Sequence, residues 1–97
     1  MSYRYNLPVY YSRLDHRERR AVREQYIQQQ NNLCWHCGEP LDKPPPQHIK
    51  DKRIDWRLFP RGFTKHPVHL QHDHFTDLTE GAVHALCNAV LWQYLGK

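Results

Sequence analysis

The chain has no long apolar run, and this absence excludes a membrane-spanning helix. Such a helix needs about 20 consecutive and mostly apolar residues, whereas hydrophobic residues make up 39% of this chain and charged residues interrupt them throughout. The amino terminus places Arg4 among tyrosines and lacks the apolar segment of a secretory signal peptide. We therefore expect a cytoplasmic protein with no membrane partner.

Cysteine is scarce and odd in number, which excludes a complete disulfide framework. The three cysteines are Cys34, Cys37 and Cys87. A Cys-x-x-Cys pair beside a third, unpaired cysteine is typical of a metal site in a reducing compartment. His84 and Cys87 repeat the spacing of Cys34 and Cys37, so the four side chains form a set suited to tetrahedral zinc. Because a chain of 97 residues has a small core, we expect this zinc to be structural.

Proline and glycine are both absent between Ser12 and Cys37, so nothing there interrupts a helix. Ser12 and Asp15 have the spacing of a capping box, which predicts a helix from about Arg13 to Gln30. The residues expected to be buried form a narrow stripe of Leu14, Ala21, Val22, Tyr26 and Ile27. Arginines cover much of the remaining surface, namely Arg13, Arg17, Arg19, Arg20 and Arg23.

The arginines of this helix allow two interpretations. Glu18 and Glu24 can pair with neighbouring arginines, and the helix then has an ordinary solvated face. The formal net charge of +4 favours a polyanionic partner, and the arginines would then contact DNA phosphates without selecting a sequence.

The middle of the chain alternates between a proline-rich segment and an aromatic one. Residues Glu39 to Gln47 include three successive prolines and predict an extended connector, since proline suits neither a helix interior nor a central strand. Ile54, Trp56 and Leu58 then alternate with charged residues, which predicts a short strand with one buried face. We expect these side chains to fill the core, with stacking on nucleic-acid bases as the alternative.

Histidine is concentrated in HLQHDH, residues His69 to His74. Packing alone does not explain so many polar groups, because buried polar groups need partners. In a regular strand, His72 and His74 would face one side, and His69, Gln71 and Asp73 the other. Hydrolysis of a phosphodiester needs a base that activates water and a cation that neutralises charge. An imidazole can supply the base, and Asp, Asn, Gln or His side chains can supply ligands for the cation.

The remaining elements are predicted from local patterns. We expect a strand over Pro67 to His74, a turn over Thr76 to Glu80 and a returning strand over Gly81 to Leu86. Apolar residues at helical spacing predict a closing helix from Asn88 to Leu95. The zinc ligand Cys87 immediately precedes Asn88, so zinc would fix the position of Asn88 relative to the hairpin.

The order of these motifs resembles HNH endonucleases with the ββα-metal (His-Me) finger. The nearest group is the recombination endonuclease VII type, together with small HNH proteins of phages. The resemblance covers about Leu33 to Lys97 and is most specific in PVHLQHDH and GAVHALCNAVLWQYLG. It implies a zinc-binding frame that holds a metal-bound Asp or His, followed by a general-base His. It also implies that an Asn at the helix start, here Asn88, is a second metal ligand.

Two registers carry that active site onto this chain. Counting back from the shared landmarks assigns the base to His72 and places Gln71 where the family has a ligand such as Asp. The other register takes Asp73 and His74 as ligand and base but shortens the link to Asn88 by two residues. We favour His72, because the landmarks then align without a gap. Since glutamine is a weaker ligand than a carboxylate, the ion is completed by Asp73 or His74, held loosely, or lost.

We therefore predict a small α+β fold, a zinc-stapled ββα-metal finger over residues 33–97. An arm and a basic helix over residues 1–32 would pack on it within one compact domain. The predicted function is a metal-dependent endonuclease that cuts DNA in a bacterial or phage-infected cell. The resemblance implies products with a 5′-phosphate and a 3′-hydroxyl. The alternative is a zinc-stapled DNA-binding phage accessory module whose catalysis is weak or lost.

The expected ions and site residues follow from these motifs and the resemblance. Structural Zn2+ would be held by Cys34, Cys37, His84 and Cys87, and a catalytic Mg2+ or Mn2+ by Gln71, Asp73 and Asn88. The predicted catalytic residues are His72, His74 and Asn88. The predicted DNA-binding residues are Arg13, Arg17, Arg20, Arg23, Arg61, Lys65 and His69. We expect a monomer, with a dimer as the alternative, because the endonuclease VII dimer uses further helical sequence after the finger.

Overall fold

The computed structural model describes residues 5–96, so the first four residues of the predicted arm and Lys97 lie outside it. The elements in chain order are helices α1 (His16–Gln29) and α2 (Gln47–Lys50), strands β1 (Val68–His72) and β2 (Thr79–His84), and helix α3 (Ala85–Leu95). Short 3-10 turns occupy Tyr11–Arg13 and Trp56–Leu58. This mixed content confirms the α+β prediction. None of the helices within residues 5–96 combines the length and apolar character needed to cross a membrane.

Helix α1 begins three residues later than predicted, because a different capping box forms. The Asp15 carboxylate accepts from the Glu18 backbone N–H at 2.8 Å, and the Glu18 carboxylate accepts from the Asp15 N–H at 3.0 Å. This reciprocal pair satisfies two backbone donors that a helix start leaves without partners. The Ser12 hydroxyl, predicted to cap the helix, donates instead to the Asp77 carboxylate.

The buried side of α1 also differs from the predicted stripe. Val22 and Tyr26 are buried as expected, but Ala21 is exposed and the buried Leu14 lies before the helix. The third buried residue of α1 is Gln25, whose amide exchanges two 2.8 Å hydrogen bonds with the backbone of Tyr5. A polar residue is therefore buried because the amino-terminal arm satisfies both ends of its amide.

Strands β1 and β2 form an antiparallel hairpin whose register shifts near its turn. Gln71 is opposite Gly81, but the next residue, His72, is opposite Thr79. Strand β1 ends at His72, two residues earlier than predicted, because the Asp73 carboxylate accepts from the backbone N–H groups of Phe75 and Thr76. This turn is typical of aspartate.

Both long helices pack on the hairpin, so five of the six residues of β2 are buried. The returning strand begins at Thr79 rather than Gly81 and ends at His84, and α3 follows directly from Ala85 rather than from Asn88. The buried apolar side chains that join these elements include Val22, Val83, Val90 and Leu91.

The predicted strand around Ile54 to Leu58 does not form. The Asp55 carboxylate accepts from the Arg57 N–H at 3.1 Å and caps a 3-10 turn over Trp56–Leu58. Trp56 and Leu58 are 48% and 58% exposed, contrary to the expected buried face, whereas Phe59 is buried. Local capping therefore prevails over the alternating pattern in this segment.

Candidate metal centre and histidine cleft

Four side chains from two distant parts of the chain form a metal centre. Cys34 and Cys37 lie in the turn after α1, His84 ends β2, and Cys87 lies in the first turn of α3. Their ligand atoms all lie within 4.8 Å of one another, as a tetrahedral ion requires. The predicted ligand set is thus brought together, and it fits a structural zinc ion. Among the described residues, no second group of three or more His, Cys, Asp or Glu side chains converges in this way.

The backbone sets the orientation of His84 in this centre. Its Nε2 atom lies 2.9 Å from the carbonyl oxygens of both Pro40 and Lys43, so Nε2 carries the proton. Nδ1 then presents its lone pair to the sulfurs and lies 3.4 Å from Cys37 Sγ and 3.6 Å from Cys87 Sγ. An imidazole whose far nitrogen donates to a carbonyl is the usual arrangement of a metal-bound histidine.

The thiols of the centre favour one negative charge and oppose further ones. A hydrogen bond from Cys87 lowers the pKa of Cys34 to about 4. The same hydrogen bond, followed by burial, raises the pKa of Cys87. Burial raises the pKa of Cys37. A bound cation would stabilise all three thiolates, because it adds positive charge where the sulfurs otherwise repel one another.

A second site, the histidine cleft, lies beside the metal centre. It is a cavity of about 310 Å3 whose polar lining is His69, His72, His74, Asn88 and Tyr11, with Trp92 at its edge. His69 and His72 line the same cleft, although a regular strand would direct them to opposite sides. The extra residue of the register shift is Glu80 in β2. The structure therefore brings the predicted catalytic residues His72, His74 and Asn88 together.

A hydrogen bond orients Asn88 in the cleft. Its Nδ2 atom lies 3.0 Å from His69 Nδ1. An amide nitrogen can only donate, so His69 Nδ1 is unprotonated and the amide oxygen of Asn88 points elsewhere. Burial lowers the pKa of His69, which is consistent with a neutral ring. His69, predicted to bind DNA, therefore also fixes Asn88.

Aromatic stacking holds His72 in place. The Tyr11 ring lies parallel to it, with centroids 3.8 Å apart and an interplanar angle of 6°. The Arg19 guanidinium carbon lies over the Tyr11 ring, 4.1 Å from its centroid. Burial, followed by the charge of His74, lowers the pKa of His72 and favours the neutral base. The sequence analysis missed Tyr11, because no local signal connects it with a histidine so distant in the chain.

Two predicted ligands of the catalytic ion do not line the cleft. Gln71 is 1% exposed, and its Nε2 donates to the His72 carbonyl at 2.9 Å and to Glu80 Oε1 at 3.3 Å. The Asp73 carboxylate accepts from amides of the hairpin turn. Asn88 is the predicted ligand that faces the cavity.

A second cavity, the basic cleft, has a volume of about 530 Å3 and lies between α1 and β1. Its charged and titratable lining is Arg19, Arg20, Arg23, His16, His66 and His69. Arg20, Arg23 and His69 are among the predicted DNA-binding residues, and Arg19 is one of the helix arginines that the second interpretation has contacting DNA phosphates. His16 and His66 were not predicted to bind DNA. The other predicted DNA-binding residues, Arg13, Arg17, Arg61 and Lys65, are exposed and do not line this cleft.

Comparisons with protein-family models, with curated proteins and with solved structures find no match to this chain. Neutral imidazoles can accept a proton, an amide oxygen can bind a cation, and the adjacent arginines can bind anions.

Proposed function

We propose that this protein is a metal-dependent endonuclease that hydrolyses DNA phosphodiester bonds. The observation that carries the proposal is the cleft in which His72 and Asn88 face one cavity beside a cluster of arginines. A base and a ligand atom in one cleft are what phosphodiester hydrolysis needs, and arginines attract the polyanionic substrate. Zinc held by the Cys/His centre would keep this geometry rigid, because Cys87 immediately precedes Asn88.

His72 is the proposed base. Its lowered pKa keeps the ring neutral near pH 7, so a ring nitrogen can accept a proton from water. The water oxygen forms a bond to phosphorus as the bond to the 3′ oxygen breaks, and the leaving oxygen takes a proton from solvent. Tyr11 covers one face of the imidazole and limits its rotation, so the accepting nitrogen stays directed into the cleft.

A divalent ion, when bound, neutralises charge on the phosphate, and the amide oxygen of Asn88 is the ligand atom that would hold it. The fit to Mg2+ is poor, because none of the residues that line the cleft is a carboxylate. The imidazoles around Asn88 are better suited to Mn2+ or another transition ion than to Mg2+.

The same lack of a carboxylate favours a second candidate function. A zinc-stapled module that binds DNA and has lost catalysis would keep the metal centre and the basic cleft but would not need a second ion. Gln71 is consistent with this alternative, because its amide is buried at the position where the nuclease family has a ligand.

Plasmid cleavage separates the two functions. Zinc-loaded protein is incubated with supercoiled plasmid and Mg2+, Mn2+ or no added ion, and nicked and linear products are measured on a gel. The nuclease proposal expects nicking that depends on the ion and is faster with Mn2+. The His48→Ala variant, which changes an exposed histidine of α2, serves as a matched control and should cut at the wild-type rate. Protein that retards the plasmid on the gel but never cuts it would establish the binding module instead.

A further inference from the structure

The basic cleft contains an unusual arginine. Within residues 5–96, one buried polar side-chain atom lacks a hydrogen-bond partner, and this atom is Arg19 Nε. A buried donor without a partner costs free energy, about 1–3 kcal/mol and more for a charged group. Such a group in a folded protein needs an explanation, and an ordered water or ion beside the guanidinium is one partner that supplies it.

The surroundings of Arg19 define the chemistry of that partner. Its guanidinium stacks on Tyr11, and guanidinium donors lie in the plane of the group, so they are available to a ligand beside the ring. Arg20, Arg23 and three histidines line the same cavity, and none of the described residues lining it is acidic. The ligand must therefore be an anion with several acceptor oxygens, as a phosphate is.

The basic cleft and the histidine cleft are neighbours. Tyr11, His69 and Leu70 line both cavities, so the two share a wall along β1. Tyr11 contacts His72 on one face and Arg19 on the other. An anion held by Arg19 would thus lie close to a phosphate held beside His72.

We propose that the basic cleft is a second phosphate subsite, in which Arg19 and Arg23 bind a backbone phosphate of the strand whose scissile phosphate lies in the histidine cleft. The identity of the strand rests on the proposed nuclease function, whereas phosphate binding at Arg19 does not. Arg19 and Arg23 of α1 line the cleft, whereas Arg17 of α1 and Arg13 of the preceding 3-10 turn do not.

The first experiment tests the anion site in the wild-type protein. Inorganic phosphate is titrated into zinc-loaded, 15N-labelled full-length protein, and the arginine Nε–H resonances are followed by NMR. The Arg19 and Arg23 resonances should shift and saturate, while that of Arg17 stays in place. Equal responses from Arg17 and Arg19, or no response from Arg19, would overturn the proposal.

The second experiment compares two double variants of equal charge. R19Q/R23Q removes two positive charges from the cleft, and K50Q/K52Q removes two exposed lysines outside it. Duplex DNA affinity is measured without a catalytic ion at several salt concentrations. We expect R19Q/R23Q to weaken binding about tenfold and to reduce the salt slope by about 1 to 2, since each phosphate contact contributes about 0.9. The control should lose less than about twofold, because surface charge away from the DNA path contributes little. Equal losses of DNA affinity in the two variants would contradict the subsite.

Zinc content and thermal midpoint verify that each variant folds. If R19Q/R23Q does not fold, the phosphate titration of the wild-type protein decides.

The third experiment tests the link to the scissile phosphate. Neutral methylphosphonates replace single phosphates on either side of the cut bond in an end-labelled duplex. At one position the replacement should slow DNA cleavage by the wild-type protein about tenfold. The same replacement should not slow cleavage by R19Q/R23Q any further, because both changes remove the same contact between protein and phosphate. If the protein cuts DNA but no position behaves in this way, the subsite is overturned and the nuclease function stands. If the protein never cuts DNA but the Arg19 resonance responds to phosphate, the nuclease function is overturned and the phosphate-binding cleft stands.

Discussion

At the residue scale, the environments of two histidines differ more than their sequence positions suggest. His72 is half-buried beneath Tyr11 at the end of β1, whereas His74 is exposed in the turn. The two rings lie 4.4 Å apart, so either could reach a substrate in the cleft. His72 is the better candidate for the base, because its ring is half-buried and stacked in parallel on Tyr11.

Single substitutions distinguish these two histidines. His72→Ala should slow plasmid cleavage by about 100-fold or more, the usual contribution of a general base, while zinc content and thermal midpoint stay near the wild-type values. His74→Ala should have a smaller effect. Cleavage that survives in His72→Ala and disappears in His74→Ala would move the base to His74 and favour the shorter register.

Gly81 shows that a side chain can be excluded by close packing alone. A Cβ atom at this position would lie 2.7 Å from Gln30 Oε1 and 2.7 Å from Trp35 Cγ. Neither neighbour can withdraw cheaply, because Gln30 and the Trp35 backbone N–H both bond to Ala82. The Cys34–Cys37 turn, the end of α1 and strand β2 therefore meet where only glycine fits.

Gly81→Ala should destabilise the zinc-loaded protein by about 1–3 kcal/mol, as overpacking usually does. Urea unfolding of the variant measures the loss. The same substitution in a Trp35→Gly background should cost less, since two of the three close contacts, with Trp35 Cγ at 2.7 Å and Trp35 Cβ at 2.8 Å, are then removed. Equal costs in the two backgrounds would show that the clash with Trp35 is not the cause.

At the scale of elements, Thr79 joins three of them. Its hydroxyl lies 2.9 Å from the Tyr26 hydroxyl of α1 and accepts from the Val9 N–H of the arm at 3.0 Å. Its own N–H donates to the Val9 carbonyl at 2.9 Å. This junction holds the arm against β2 and so positions Tyr11 over His72.

The titration of Tyr26 provides a test of this junction. Burial raises the pKa of Tyr26 above its ordinary value of 10.0, so the folded state favours the neutral phenol. As pH rises, the phenol of the unfolded chain loses its proton before the phenol of the folded chain does. The contribution of Tyr26 to folding stability is therefore complete below about pH 10 and is lost as pH rises through the higher pKa of the folded state. The Tyr26→Phe variant has no group that titrates at this position. Its stability deficit, about 1 kcal/mol at neutral pH, should shrink between about pH 9 and 11 in urea unfolding. A deficit that stays constant over this range would mean that the phenol is not shielded from solvent.

At the scale of the whole molecule, the metal centre closes the chain on itself. It joins the turn after α1 to the junction of β2 and α3, while the buried core contains few large side chains. A small domain with such a core usually needs an additional cross-link. Zinc is expected to supply it.

Removal of zinc should therefore unfold the protein. Structural zinc sites contribute about 10–16 kcal/mol, which matches or exceeds the net stability of about 5–15 kcal/mol of most domains. A strong chelator or Cys34→Ser should abolish the dispersed NMR spectrum, whereas His48→Ala should keep it. Cobalt substitution should give the absorption of thiolate-to-cobalt charge transfer. A Cys34→Ser protein with the wild-type thermal midpoint would refute a structural role.

The residues accounted for by sequence are those whose signals are local. Ligand spacing identified Cys34, Cys37, His84 and Cys87, and the order of the hairpin and α3 followed from periodicity, although their bounds shifted by a few residues. The strand predicted near Trp56 was wrong, because an aspartate cap overrides an alternating pattern. Helix α1 was placed too early because two capping boxes competed, and the Asp15–Glu18 pair formed.

By itself, the sequence determined the metal ligands, the α+β content and the clustering of histidines, because spacing and composition are properties of neighbouring residues. Only the tertiary structure decided which side chains share a cavity. It brought Tyr11 and Arg19 to His72, turned Gln71 into the interior and separated Arg19 and Arg23 from Arg17. These outcomes depend on packing between elements distant in the chain, and no local pattern encodes that packing.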